Sequence, residues 1–207
     1  NMRFLNQKDI PEEEIRNQSD HLINYFIIQL LKRYRTLLNL RHVIEFEFDK
    51  PLMNELLHFI ESHPGKFKDI PLAGLLYNEI KLFETDDEEY FKKIKILATD
   101  LNNRFDRSER YNGLVVISNY CLKKHHEGDR TKLAEFMEIT EFMFENKIDT
   151  MNESDDLPIN YFRTVLLMAL AAGKLEWTIR FIKESKSRLS PVLRDNAYNF
   201  AMARIEF

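Results

Sequence analysis

The chain of 207 residues carries 30 basic against 34 acidic residues, and this formal charge of −4 offers no global field to attract a polyanion, so nucleic acid is not the expected partner. At 44% apolar and 31% charged it is neither disordered by composition nor membrane-like, and five glycines with six prolines are too few turn formers for a sandwich or barrel of short strands. Helices remain.

No stretch approaches the roughly 20 apolar residues of a membrane span. The nearest, Ile23 to Leu31, is interrupted by Asn24 and Gln29. Asn1-Met2-Arg3 has no signal-peptide pattern, and an asparagine ahead of the methionine is expected either of a residue left by expression or of a cut within a longer chain, whose parent could still be secreted.

From Asp20 onward Leu22, Ile23, Phe26, Ile27, Leu30, Leu31, Tyr34, Leu37 and Leu38 recur at three- and four-residue steps, which predicts a long helix with one wide apolar stripe, fading near Phe46. Asp49-Lys50-Pro51 supplies an acceptor followed by a first-turn proline, so a second helix starts there and carries Leu52, Leu56, Leu57, Phe59 and Ile60 to a stop at His63-Pro64-Gly65. Leu72–Phe83 forms the next helix. The acidic run Glu84–Glu89 closes it and opens another from Tyr90 to about Asn103. Carboxylates at a helix start complement its dipole, and no calcium-loop spacing accompanies them.

Two further helices, Tyr111–His126 and Thr131–Asn146, are separated by Gly128. The polar stretch 147–157 predicts the longest loop and a sub-boundary within an otherwise single domain spanning 1–207. After Pro158, Phe162, Val165, Leu166 and Ala169 share one face of a helix that Gly173 ends. Trp177, Phe181 and Ile182 mark its partner, and Ser190-Pro191 introduces a last helix with Ala197, Phe200, Ala201 and Ile205. That final apolar face has no later partner in the sequence, so the natural protein is expected to continue. The prediction is an all-α chain of about nine helices in an antiparallel hairpin stack.

Gly128-Asp129 and Gly173-Lys174 each follow an apolar helix and precede an amphipathic one, about 45 residues apart against a tetratricopeptide period of roughly 34. The stretch Leu166-Leu167-Met168-Ala169-Leu170-Ala171-Ala172-Gly173-Lys174-Leu175-Glu176-Trp177 resembles the middle of a degenerate tetratricopeptide repeat, with Gly173 at the bend and Thr178 where that family prefers alanine. Together with Asn119-Tyr120-Cys121, Gly128-Asp129 and Asn196-Ala197-Tyr198-Asn199, it is similar to tetratricopeptide-like regions of Bacteroidetes-type proteins. The resemblance implies an α-α superhelix and no activity. It also implies a concave surface, lined by the first helix of each pair, that binds peptides. On that analogy the inward polar residues are Asn78, Lys81, Ser118, His125, Asn160, Arg163 and Asn199, the amides offering donor and acceptor together.

Catalytic and metal signatures are not found. His58 and His63 are five residues apart with Pro64 adjacent, and neighbouring His125 and His126 diverge by about 100° on a helix, so neither pair has zinc-ligand spacing. Five scattered glycines build no phosphate loop, and the lone Cys121, among apolar residues, is packing that suits a reducing, cytoplasmic compartment. Lys174, Arg180, Lys183, Lys186, Arg188 and Arg194 outnumber Glu176 and Glu184, which makes a basic final hairpin. The expectation is a protein-interaction or scaffolding module that takes a protein or peptide partner and needs no cofactor. A regulatory region of a nucleic-acid-associated protein using the basic hairpin, and a hydrolase completed by flanking sequence, are the alternatives.

Overall fold

The computed structural model describes residues 12–41, 49–102 and 105–206, and every regular element among them is helical. The elements are α1 Glu12–Arg41, α2 Met53–Ser62, α3 Pro64–Phe67, α4 Pro71–Thr85, α5 Glu88–Thr99, α6 Arg107–His126, α7 Thr131–Glu145, α8 Ile159–Ala171, α9 Leu175–Ser185 and α10 Arg194–Glu206, with a 3-10 turn at Lys186–Arg188. The tenth helix, beyond the nine expected, is α3. The proline at Pro64 ends α2 as predicted and at once supplies the first position of the next turn. None of the described helices is long and apolar enough to cross a membrane. The predicted fading near Phe46 lies outside the described residues.

The chain divides into two compact units, 1–86 and 87–207. In the first, α1 lies along α4, and Ile27, Leu31, Tyr34 and Leu38 interlock with Met53, Leu57 and Ile60 of α2, Phe67 of α3, and Leu76 and Ile80 of α4. The single wide stripe expected on α1 is corrected here: its second half is core, while Leu22, Ile23 and Phe26 are exposed. Phase accounts for Leu22 and Phe26, which lie more than about 100° around the helix from the 27-31-34-38 row, while Leu30 and Leu37 pack against the core from its flank. Leu52 adopts a left-handed conformation (φ 66°), which delays α2 to Met53, past the Asp49-Lys50-Pro51 signal. Tyr34 Oη donates to the Pro51 carbonyl and Lys50 pairs with Glu84 at 3.0 Å, tying the ends of this unit's helices together.

In the second unit α6 packs on α5 and α7, α8 on α7 and α9, and α10 on both α8 and α9. Sequence-distant ion pairs link alternate helices. Lys95 meets Glu138 at 2.6 Å and Lys132 meets Glu88 at 2.9 Å between α5 and α7, and Lys174–Glu141 and Arg180–Glu145 join α7 to the α9 end. Between them the rings of Phe144, Phe162, Trp177 and Phe181 stack or meet edge-on, with centroids 5.2 to 5.8 Å apart. Burial of such surface at roughly 25 cal/mol per Å2 is the main stabilising contribution.

Three helices of this unit end the same way. Asp129 N–H donates to the Lys124 carbonyl and Gly128 N–H to that of His125; Lys174 and Gly173 repeat the pattern on Ala169 and Leu170. Both glycines have positive φ, 109° and 70°, which explains why glycine occupies each bend. After α7 the same motif is built on Ile148 and Lys147, and Lys147 takes φ 55° without glycine's freedom.

The polar stretch 147–157 lies inside the second unit, and the division of the chain falls between Asp86 and Asp87 instead. Ile148, Asp149, Thr150 and Leu157 are buried. Arg188 grips Asp149 through two hydrogen bonds of 2.6 and 2.5 Å, Arg107 reaches the Thr150 carbonyl and hydroxyl at 3.2 Å each, and Leu157 N–H donates to the Arg188 carbonyl at 2.8 Å. Composition alone reads this stretch as a linker; its buried carboxylate and paired arginine fasten it down.

Candidate interaction surface

The seven polar residues expected to line a concave face divide by environment. Asn78 is corrected to an interior position: it is buried on α4 and its Nδ2 donates to the Gly74 carbonyl at 2.6 Å. Lys81 is half-buried, pairs with Glu61 at 3.5 Å and holds its Nζ 6.0 Å from the Tyr77 ring. Tyr77 also donates to Glu61 at 2.6 Å, and this bond, more than the nearby Lys81, holds the Glu61 carboxyl below its usual value. Asn78 is thus tied within α4, and Lys81 links α4 to Glu61 of α2.

Ser118 is likewise buried on α6, against expectation, because its turn of the helix also carries Leu114, Ile117 and Cys121 into the core. His125 is half-buried, its ring 6.1 Å from that of His126. Of the two, only Ser118 is enclosed.

Asn160, Arg163 and Asn199 are exposed, on two helices that pack on each other. On α8, Asn160, Arg163 and Leu167 follow one another at three- and four-residue steps and so share a face. On α10, Asn196 stands three residues before Asn199 and four before Phe200, on the same side of the helix. The α8 and α10 helices pack on each other, and the Arg163 guanidinium lies 5.6 Å from the Phe200 ring centroid. Arg204, one turn beyond Phe200, approaches the same ring at 5.4 Å. An exposed phenyl ring flanked by two guanidinium groups is thereby set among amides. The α8 sequence contains no carboxylate; on α10, Asp195 and Glu206 lie four residues before and seven after Asn199, and Asp195 pairs with Lys186.

Sequence reasoning misses Arg204 and Leu167. The available signal is the helical step from Phe200 to Arg204 and from Arg163 to Leu167, but it becomes informative only once α8 and α10 are known to touch.

The basic hairpin has a different fate. Lys174, Arg180, Arg188 and Lys186 pair with Glu141, Glu145, Asp149 and Asp195, and Arg194 donates to the Ser187 and Leu189 carbonyls at 2.9 and 3.0 Å. Its cations are largely occupied by carboxylates distant in sequence. The acidic run is also distributed: Glu84 pairs with Lys50, Asp87 caps α5 by accepting from Glu89 N–H, Glu88 pairs with Lys132 and Glu89 with Lys93.

Cys121 is fully buried, and burial pushes its thiol up to about 12, which suppresses the reactive thiolate. Among the described residues no three His, Cys, Asp or Glu side chains converge as a metal site requires. Comparison with family models, with curated proteins and with solved structures finds no match.

Proposed function

We propose that the chain is a protein-interaction module, a tetratricopeptide-like helical array of the cytoplasm, whose α8–α10 face docks an acidic peptide segment carrying an apolar side chain. The observation that carries this reading is the Arg163–Phe200–Arg204 arrangement. Two guanidinium groups beside an exposed ring attract carboxylates, the ring and Leu167 offer apolar area, and Asn160, Asn196 and Asn199 can bond to the backbone of a bound chain. A protein partner is preferred over nucleic acid because most cations of the final hairpin pair with the chain's own carboxylates, which interrupts a basic track there.

The test uses fluorescence anisotropy with a labelled peptide of alternating Glu and Leu residues and its Gln counterpart. Binding of the acidic peptide is expected to weaken steeply with salt and to be lost when Arg163→Ala and Arg204→Ala are combined. Both side chains are exposed, so the fold should persist. Equal binding of the Gln peptide, or an unaffected double variant, would eliminate this face as the docking site.

A further inference from the structure

A second unexplained surface lies on α1 in the first unit and owes nothing to the α8–α10 face. The core of that unit uses one side of α1, through Ile27, Leu31, Tyr34 and Leu38. About 130° around the helix, counting 100° per residue, runs another row: Ile15, Ser19, Leu22, Phe26, Gln29 and Arg33. Its steps alternate between four and three residues, the spacing of a seam between two helices. Ile15, Leu22 and Phe26 are 52%, 69% and 52% exposed, large apolar side chains left in water along one line of the helix, with only Ser19 between the first two.

We propose that this row is the seam of a homodimer in which α1 of a second copy lies antiparallel across it. The argument for a second copy is that α1 is complementary to itself when reversed. Its first turn is Glu12, Glu13 and Glu14, and the far end of the row is the exposed cation Arg33. The register that sets Leu22 against the second copy's Phe26 also sets Ser19 against Gln29 and Ile15 against Arg33. The stem of Arg33 then covers Ile15 while its guanidinium reaches the acidic first turn. A two-fold axis generates every contact twice, as an isologous interface demands. Parallel pairing fails on the same residues, since it would stack the three glutamates on their counterparts and Arg33 on Arg33. The overlap from Glu12 to Thr36 is roughly 37 Å long at 1.5 Å per residue, ample for a two-helix seam.

Sedimentation equilibrium over a concentration series is expected to show a dimer. Combining Leu22→Glu with Phe26→Glu should weaken it by on the order of 100-fold or more, because four carboxylates would enter the seam. Both side chains are solvent-facing, so helical circular dichroism should stay unchanged. Orientation is read by mixing Ser19→Cys and Gln29→Cys chains under mild oxidation, with the buried Cys121 left in place. The mixed 19–29 disulfide should predominate. A monomer at all concentrations, a dimer indifferent to the two glutamates, or preferential 19–19 crosslinking would each overturn the proposal.

Discussion

Replacing Lys132 by methionine tests whether a buried ammonium stabilises the second unit or merely survives in it. The Lys132 side chain is only 4% exposed. Its Nζ donates to Glu88 at 2.9 Å and Glu135 at 3.0 Å, and stands 4.8 Å from the Phe91 ring centroid and 5.8 Å from that of Tyr120. Two effects oppose each other. Burial disfavours the charged amine, and buried ion pairs replaced by apolar side chains are often no less stable. Against this, two charge-assisted hydrogen bonds contribute about 1.5–3 kcal/mol each before that cost, and the ring faces about 1–2 kcal/mol more. The balance is legible in the acidity: burial pulls Lys132 down, yet the hydrogen bonds to Glu88 and Glu135 overcome it and raise the amine from 10.5 to about 12. That displacement corresponds to roughly 2 kcal/mol in favour of the charged form.

The sign of the pH dependence follows. A pKa raised on folding contributes stability that is complete below 10.5 and disappears as the pH climbs through about 12. Urea unfolding of wild type and Lys132→Met should therefore differ by about 2 kcal/mol at pH 8, since Met keeps the stem's packing and Glu88 and Glu135 remain partly solvated. The gap should narrow progressively between pH 10.5 and 12. A variant as stable as wild type at pH 8, or a gap that persists undiminished above pH 12, would refute the reasoning.

Other perturbations address the packing and the anchored stretch. Ala169→Phe forces a ring into a fully buried site on α8 and should cost on the order of 1–3 kcal/mol, measured by thermal unfolding. For the Arg188–Asp149 pair the two deletions should be unequal. Arg188→Met strands a fully buried carboxylate and should cost about 3–5 kcal/mol, whereas Asp149→Asn leaves a partly solvated guanidinium and should cost less, with urea midpoints as the readout. Lys147→Gly should stabilise by about 0.5 kcal/mol, because relief of the left-handed backbone exceeds the added freedom of the unfolded chain; calorimetry reads the shift.

The elements of this protein are written locally. Steps of three and four apolar residues mark α4 and α6 to α9, and Gly128 and Gly173 fix two bends because only a residue without a Cβ takes positive φ at no cost. The acidic run marks the start of α5, but which of its carboxylates caps the helix, Asp87, is seen only in the structure. The partition of polar residues is not local. Asn78 and Ser118 share the composition of Asn160 and Asn199, but whether an amide or hydroxyl meets water depends on which neighbour covers that side of its helix. The stretch 147–157 is polar by sequence and anchored in fact, because Arg188, far along the chain, satisfies Asp149. The guanidinium pair around Phe200 exists only through the contact of α8 with α10. Periodicity and glycine placement thus determined the helices and several of their ends. Only tertiary contact decided which faces are covered, because burial and charge pairing are properties of two surfaces and a single helix encodes just one of them.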